Sequence, residues 1–258
     1  MPSLFISHGA PDLVLHDLPA RRFLGTLGEA LPRPAAICVA SAHYAAPRAM
    51  ATSGIAPRTV HDFGGFGAAL HAIEYPARGQ PALASRIVDM LGDAGFDACA
   101  DAHGGFDHGV WCPLMLMYPQ ADVPVVALSV DPDRDAAWHL GLGRVLARLR
   151  GEDVLLIGSG ALTHNLHAVA GPAGNAQAPG WVDAFGDWVG ARLTVRDEAA
   201  LVRYRDIAPA AADNHPSPEH LLPFFVALGA AGADWRATRL HHSVSYRALR
   251  MDAFRFDA

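Results

Sequence analysis

Three histidines stand at or just beyond the ends of apolar segments that are typical of β-strands. His8 follows SLFIS, His43 ends AAICVASAH, and His164 lies a short glycine turn beyond DVLLIGS. Open α/β sheets bind their ligands outside the carboxyl ends of the strands. We therefore expect these three side chains to meet at one edge of a sheet.

A fourth histidine, His220, lies in the segment NHPSPEHLLPFF. Here Ser217 can cap a helix and Pro218 suits its first position, which places Glu219 and His220 in the first turn. Imidazole is the commonest metal ligand near neutral pH, and three or four imidazoles, alone or with a carboxylate, suit Fe(II) or Zn(II). A single histidine at a strand end is more often a surface residue than a ligand. The prediction of a metal site therefore depends on several such histidines meeting at one place.

Two glycine-rich, aromatic segments each place a histidine beside an aspartate: HDFGGF at 61–66 and GGFDHGVWCPL at 104–114. Two interpretations are open for these segments. Either the segment is a turn in which the aspartate holds a histidine ring, or it brings a histidine to the mouth of a pocket, where the ring can move protons.

The elements that must position these residues alternate along the chain. Strands are predicted at SLFIS, AAICVASA, VPVVALSV and DVLLIGS, and helices at DLPARRFLGTLGEAL, PALASRIVDMLGDAG, RDAAWHLGLGRVLARLR, GWVDAFGDWVGARL and PEHLLPFFVALGAA. This alternation predicts an α/β fold, in which residues 1–258 form one three-layer α/β/α domain with a mostly parallel, mixed central sheet. The tail from WRATRL onward is expected to add one or two edge strands.

Composition narrows the chemistry further. All 20 basic residues are arginine, which excludes phosphate-loop nucleotidases, Schiff-base aldolases and pyridoxal enzymes, since each needs a lysine. The net charge of −6 argues against nucleic acid or an anionic membrane as a partner. The apolar segments are shorter than the ~20 residues that span a bilayer, and the N-terminus lacks the basic stretch of a signal peptide. We therefore expect a soluble, cytoplasmic protein.

The remaining motifs and histidines point to structure more than to chemistry. GSGALT follows a strand, as a dinucleotide fingerprint does, but the third glycine and the downstream acid are missing. His139 lies within a helical pattern and is predicted to be a surface or packing residue. The others predicted to be structural are His16, His71, His103 and His167.

The order of the motifs resembles one protein family. FISHGAP, VASAHY, HDFGGF, GGFDHGVWCPL, GSGALTHNL and PSPEHLLP are similar, in the same order, to segments of the DOPA-dioxygenase type of class III extradiol ring-cleaving dioxygenases. This family is related to the β subunit of protocatechuate 4,5-dioxygenase. The resemblance implies a non-heme, metal-dependent enzyme that uses O₂ to cleave a catechol ring beside its two hydroxyls, giving a muconic semialdehyde.

The resemblance also implies a metal-binding set. His8 and His43 match the two N-terminal metal histidines of the family, and His220 matches a further metal position. The wider superfamily binds iron through two histidines and a glutamate, so either Glu219 or His220 reaches the metal. We favour His220, because the DOPA-dioxygenase branch has a histidine there.

Two further histidines are implied to act on the substrate. His164 matches a residue described both as a metal neighbour and as an acid–base residue, so it belongs to the metal and to the catalytic predictions. His108, in DHGVW, matches a second-sphere histidine that contacts substrate or oxygen.

The implied cofactor is Fe(II), although Zn(II) readily occupies such sites in crystals. The implied partners are O₂ and a catechol with a small side chain, such as DOPA. If that side chain is anionic, its counter-ion must be a protonated histidine or an arginine, for which Arg48, Arg58 and Arg239 are the candidates. A neutral pocket is the alternative.

Two other functions remain open at this point. The first is a zinc hydrolase, in which three histidines hold Zn(II) and Glu219 is the base. The second is a non-enzymatic metal-binding or interaction protein of the same superfamily, since a fold does not determine its function.

Overall fold

The computed structural model describes residues 1–171 and 177–258. The strands in these ranges are β1 (Ser3–Ser7), β2 (Ala36–Ala45), β3 (Ala49–Thr52), β4 (Ala98–Asp101), β5 (Val125–Val130), β6 (Val154–Gly160), β7 (Arg236–His241), β8 (Val244–Ser245), β9 (Leu249–Arg250) and β10 (Ala253–Asp257). The helices are α1 (Pro19–Ala30), α2 (Ala68–His71), α3 (Pro81–Asp93), α4 (His108–Met117), α5 (Ala136–Leu146), α6 (Gly180–Thr194), α7 (Glu198–Val202), α8 (Tyr204–Ile207), α9 (Ala211–Asn214) and α10 (Leu222–Ala230). Within the described ranges, no helix has both the length and the apolar composition to cross a membrane. Each strand and helix predicted in the body of the chain corresponds to one of these elements.

The larger sheet has the strand order β4-β3-β5-β2-β6-β1-β10-β7. Its pairs β1–β6, β2–β6, β2–β5 and β3–β4 are parallel, whereas β3–β5, β1–β10 and β7–β10 are antiparallel. The predicted mixed, mostly parallel sheet is therefore confirmed. The tail contributes one edge strand to this sheet, β7, as predicted, and a further strand, β10, that is not at the edge. β10 lies between β1 and β7, since its buried Phe254 and Phe256 pack into the core.

Side chains alternate between the two faces of this sheet and so define three layers. On β1, Leu4 and Ile6 pack with residues of α1 and α4, whereas Phe5 packs with residues of α6 and α10. On β2, Ile37 and Val39 share the face of Leu4. The alternate residues of this strand, Ala36, Cys38 and Ala40, point to the other face and pack with α3, α5 and α10. Burial on both faces explains why these strands are continuously apolar.

Two glycines on β6 let the segment before α10 approach the sheet closely. A Cβ on Gly158 would collide with the carbonyl oxygen of Pro223, and one on Gly160 would collide with that of His220. The amide of Ala161 donates to the same His220 carbonyl at 2.9 Å. The Gly158-Ser159-Gly160 sequence at the end of β6 therefore permits close packing and holds the backbone of His220 against the sheet edge.

The prediction for the start of α10 is wrong. The helix begins at Leu222 and not at Pro218, so His220 lies in the turn before it. A start at Pro218 would put Pro223 in the helix interior, where proline removes a hydrogen bond and clashes with the preceding turn. A start at Leu222 puts Pro223 in the first turn, where proline is tolerated. Ser217 donates to a neighbouring carboxylate instead of capping the helix.

His139, in α5, is fully buried and has a packing role. Its Nε2 accepts a hydrogen bond from the amide of Asp131 at 3.1 Å, and its Nδ1 donates to the carbonyl of Asp135 at 2.8 Å. Burial lowers the pKa of His139 from 6.5 to about 4. The neutral ring is therefore built into the fold.

We expect the buried His139 to make stability depend on pH. As the pH falls from 6.5 to about 4, the unfolded chain gains a proton that the folded ring does not, so the free energy of unfolding decreases. His139→Gln should reduce this slope by up to about 1.4 kcal/mol per pH unit, measured by urea unfolding across that range. The wild-type protein, measured in parallel, provides the reference slope. An unaltered slope in His139→Gln would contradict a neutral buried ring.

Candidate active site

Three histidines converge at the carboxyl edge of the central sheet. His8 follows β1, His43 lies near the end of β2, and His220 lies in the turn before α10. The Nε2 atom of His43 is 3.1 Å from Nε2 of His8 and 3.2 Å from Nε2 of His220. His8 and His220 are buried and His43 is half-buried. The structure thus brings three of the four predicted metal positions to one point.

The other ring nitrogen of each histidine is held by an oxygen. Nδ1 lies 3.0 Å from Ser159 Oγ in His8, from Asp62 Oδ2 in His43 and from Glu219 Oε1 in His220. A carboxylate can only accept from a ring nitrogen, and the Ser159 hydroxyl already donates to the carbonyl of Gly109. Each Nδ1 therefore carries the ring proton, which leaves Nε2 of each ring as the nitrogen with a free lone pair, and His43 Nε2 lies close to the other two.

This arrangement fits a metal ion. His43 Nε2 lies 3.1 Å from His8 Nε2 and 3.2 Å from His220 Nε2, and the lone pairs on these nitrogens repel one another unless a cation lies between them. Nitrogens about 2.1 Å from one ion, at angles between octahedral and tetrahedral, are about 3.0–3.4 Å apart. Burial lowers the pKa of His8 and the pKa of His220, which keeps both rings in the neutral form that binds metals.

Glu219 orients His220 in this arrangement. Its Oε1 accepts from His220 Nδ1 and from the Ser217 hydroxyl, each at 3.0 Å. The ring of His220, rather than the carboxylate of Glu219, presents its free nitrogen to His43. Support of this kind from an outer carboxylate fixes the orientation of a ligating ring and raises its basicity.

Asp62 holds two histidine rings at once. Its carboxylate accepts from His43 Nδ1 at 3.0 Å and from His108 Nδ1 at 2.9 Å, and it also accepts from the backbone amide of His108 at 2.9 Å. Burial raises the pKa of Asp62, but the hydrogen bonds from the two histidines outweigh burial and lower this pKa below its usual range. Asp62 therefore stays ionised and couples His43 to His108.

The sequence signal for Asp62 does not identify the rings that it holds. HDFGGF indicates only that an aspartate could hold a histidine ring in this segment. The rings that Asp62 holds come from β2 and from the start of α4, whereas the adjacent His61 bonds the carbonyl of Ile73 at 3.0 Å. The pairing joins segments that are distant in sequence, so local spacing could not reveal it.

His108 begins α4 and faces the same centre. Its ring centroid is 3.9 Å from that of His43 and 5.3 Å from that of His8. Burial lowers the pKa of His108, and the hydrogen bond to Asp62 offsets part of that effect. Because Nδ1 donates to Asp62, Nε2 is the ring nitrogen that remains available to a ligand.

His164 lies on the far side of His220. The two rings are stacked, with centroids 3.4 Å apart and planes inclined by 9°. The ligand atoms of His164, Glu219 and His220 also lie within 4.8 Å of one another. Burial lowers the pKa of His164 to about 4. His164 therefore contacts His220, one of the three converging histidines (His8, His43 and His220, the convergent set), through the face of its ring.

A cavity of about 610 Å³ opens onto these histidines. All five predicted site histidines line it, together with the carboxylates of Asp62 and Glu219. The rest of its wall is largely apolar and includes Phe63, Phe66, Leu166, Val169, Leu249 and Met251. A cavity of this size, with an apolar wall and a few convergent polar groups, is typical of a small-molecule site.

The arginines predicted to hold an anionic substrate lie elsewhere. Arg48 is 3.7 Å from Asp97 at the surface, and Arg58 is exposed. Arg239 lies over the ring of Phe254 and 3.5 Å from Asp252. None of the three lines the cavity, so the part of the lining that the structure describes contains no arginine.

Comparison with known proteins identifies the family to which this chain is similar. Residues 23–255 match the family described as the catalytic LigB subunit of aromatic ring-opening dioxygenase. The 4,5-DOPA dioxygenase extradiol of Escherichia coli (strain K12) is 44% identical over 233 residues, covering 89% of this chain and 85% of the relative. The protein of the same name from Beta vulgaris is 39% identical over 258 residues, covering 98% and 96%. The crystal structure of an uncharacterized protein from Escherichia coli K12 has a TM-score of 0.81 and 36% identity, covering 99% of each chain.

The α/β scaffold with a histidine-lined cavity at its sheet edge is that of an aromatic ring-opening dioxygenase. The chain belongs to the LigB family of these enzymes. It is an extradiol dioxygenase, an oxidoreductase that opens an aromatic ring with O₂. The predicted family, fold class and reaction are confirmed, and neither the zinc hydrolase nor the non-enzymatic alternative is favoured.

Proposed function

We propose that this enzyme uses Fe(II), held by His8, His43 and His220, to cleave a substituted catechol beside its two hydroxyls. The observation that carries the proposal is the approach of two ring nitrogens to His43 Nε2: His8 Nε2 lies 3.1 Å from it and His220 Nε2 lies 3.2 Å from it. Relatives named for DOPA support a DOPA-like catechol as the substrate class. The product is a muconic semialdehyde.

His8, His43 and His220 would hold the ion through three neutral imidazoles, which would leave room for further ligands. When bound, Fe(II) supplies the activation of O₂ and lowers the pKa of the catechol hydroxyls. The chain itself supplies orientation, a mostly apolar wall against the ring and groups that move protons.

His108 is the proposed proton acceptor for a substrate hydroxyl. Its Nδ1 proton is held by Asp62, so Nε2 takes the proton, and the adjacent carboxylate stabilises the imidazolium that results. Returning that proton to a later intermediate would make the same nitrogen the acid. His164, which lines the cavity beside His220, is the second candidate for this role.

The whole chain is proposed to act as one catalytic domain. β1 and β10, from its two ends, pair directly in the central sheet, and the cavity wall includes residues from His8 to Met251. A cytoplasmic location remains a prediction from the sequence.

The test is a catechol screen with protein that has been loaded anaerobically with Fe(II). We expect stoichiometric O₂ uptake and a yellow semialdehyde from at least one substituted catechol. The control is the same protein loaded with Zn(II), which lacks the redox chemistry and should give neither signal. The absence of ring cleavage across the screen, with iron retained, would contradict the proposal.

We predict a large effect from Asp62→Asn. The carboxylate accepts from three N–H groups, whereas the amide of asparagine has one oxygen with two lone pairs and an NH₂ group that must face one of these donors. His43 and His108 therefore lose part of their common anchor and its negative charge. Loss of such an outer partner typically lowers metal affinity or activity about 10–100-fold. Iron affinity and turnover should be measured against Asp131→Asn, a buried aspartate outside the cavity. Wild-type values in Asp62→Asn would remove Asp62 from the site.

A further inference from the structure

Among the described residues, the cavity lining has carboxylates but no fixed cationic side chain. In the described part of the chain, its lining contains Asp62 and Glu219 but no arginine. The sequence contains no lysine, and the five residues outside the described ranges, Pro-Ala-Gly-Asn-Ala, carry no ionisable side chain. The positive charge of the proposed Fe(II) would be neutralised by the deprotonated hydroxyls of a bound catechol.

Two arginines neighbour lining residues in the sequence. Arg250 follows Leu249 but is buried, and it pairs with Asp252 at 3.0 Å and Asp187 at 3.1 Å on the other side of the strand. Arg247 is exposed beside Tyr246 and does not line the cavity. Neither guanidinium is held in a position facing the cavity.

The hydroxyl of Tyr246, at the cavity wall, already has a hydrogen-bond partner within the protein. Tyr246 lines the cavity, and its hydroxyl donates to Asp12 Oδ2 at 2.9 Å. A hydroxyl has one proton to donate, so Tyr246 cannot serve a substrate carboxylate without giving up this bond. Asp12 adds a further negative group behind the wall.

We propose that the site selects catechols whose ring substituent carries no net negative charge. This inference rests on the proposed function and narrows its substrate class. A carboxylate that is not balanced by a cation on the same substituent would lose water against Phe63, Phe66, Leu249 and Met251 and would face Asp62 and Glu219 with no counter-ion in the described lining. An uncharged substituent of the same shape gains from the apolar wall.

The experiment compares 3-(3,4-dihydroxyphenyl)propanoate with its methyl ester, using iron-loaded enzyme and unsubstituted catechol as reference. Two methylenes separate the charge from the ring, so the pair differs in charge far more than in ring chemistry. We expect kcat/KM to be about tenfold or more higher for the ester. Equal values, or a preference for the acid, would overturn charge selection while leaving ring cleavage intact.

The remaining outcomes are also distinct. Cleavage of unsubstituted catechol alone would overturn the inference, because the ester would then be excluded by size. No cleavage of any of the three would contradict the proposed function instead. Loss of acid turnover in Arg247→Gln would reveal a cation at the mouth and would also overturn charge selection.

A charge added at the mouth provides the matched test. Leu166 lines the cavity and is 65% exposed, so substitution there does not disturb the core. Leu166→Arg should raise kcat/KM for the acid relative to the ester about tenfold, since a guanidinium pairs well with a carboxylate. Leu166→Gln, of similar length and uncharged, should leave the ratio as in the wild type. The same ratio in both variants would contradict an electrostatic origin.

Discussion

Replacing His43 with alanine should abolish both metal binding and ring cleavage. The Nε2 atom of His43 is within 3.2 Å of the corresponding atoms of both His8 and His220, so it is the common neighbour of the convergent set. The variant retains two imidazoles, which bind Fe(II) far more weakly than three. After anaerobic loading and desalting, we expect no stoichiometric iron and turnover at background level.

The metal measurement for His43→Ala can be made without activity. Titration with Co(II), followed by its visible absorption, reports the donor set directly. His103→Ala, at an exposed position outside the cavity, should keep both the metal and turnover. One tightly bound ion per chain in His43→Ala would show that the ligand set is different, with the group formed by His164, Glu219 and His220 as the alternative.

Replacing His108 with alanine should separate metal binding from catalysis. His108 lies against His43 but gives its Nδ1 to Asp62, and its role is to move a proton at Nε2. Removal of such a group typically costs about 10²–10⁴-fold in rate. We expect stoichiometric iron, a kcat lowered within that range and a smaller change in KM. Full activity in His108→Ala would return the residue to a structural role.

His164→Ala is the informative comparison for His108→Ala. If His164 contacts the site only through its stacked face on His220, its loss should leave one iron per chain and lower kcat. Loss of iron together with turnover would make His164 a ligand. The iron content of the two variants therefore decides whether His164 is a metal ligand or a residue that acts on the substrate.

The layers of the fold could be predicted because they depend on local sequence patterns. Continuous apolar segments and helical periodicity are properties of neighbouring residues, and β1, β2, β5 and β6 were found on that basis. The start of α10 was missed because two prolines competed for the first turn. The position of β10 inside the sheet was missed because an antiparallel partner for β1 cannot be recognised from the pattern of one strand.

The kinds of group at the site, and the sheet edge where they meet, follow from the amino-acid sequence alone. Histidines at the ends of parallel strands share one edge, and the absence of lysine excludes other mechanisms without any knowledge of contacts. The folded chain was needed to show which nitrogen of each ring faces inward, that Asp62 joins His43 to His108, and that the candidate arginines lie outside the cavity. The physical reason is that hydrogen-bond partners and cavity walls come from segments far apart in the chain, and their approach depends on how the whole sheet packs against its helices.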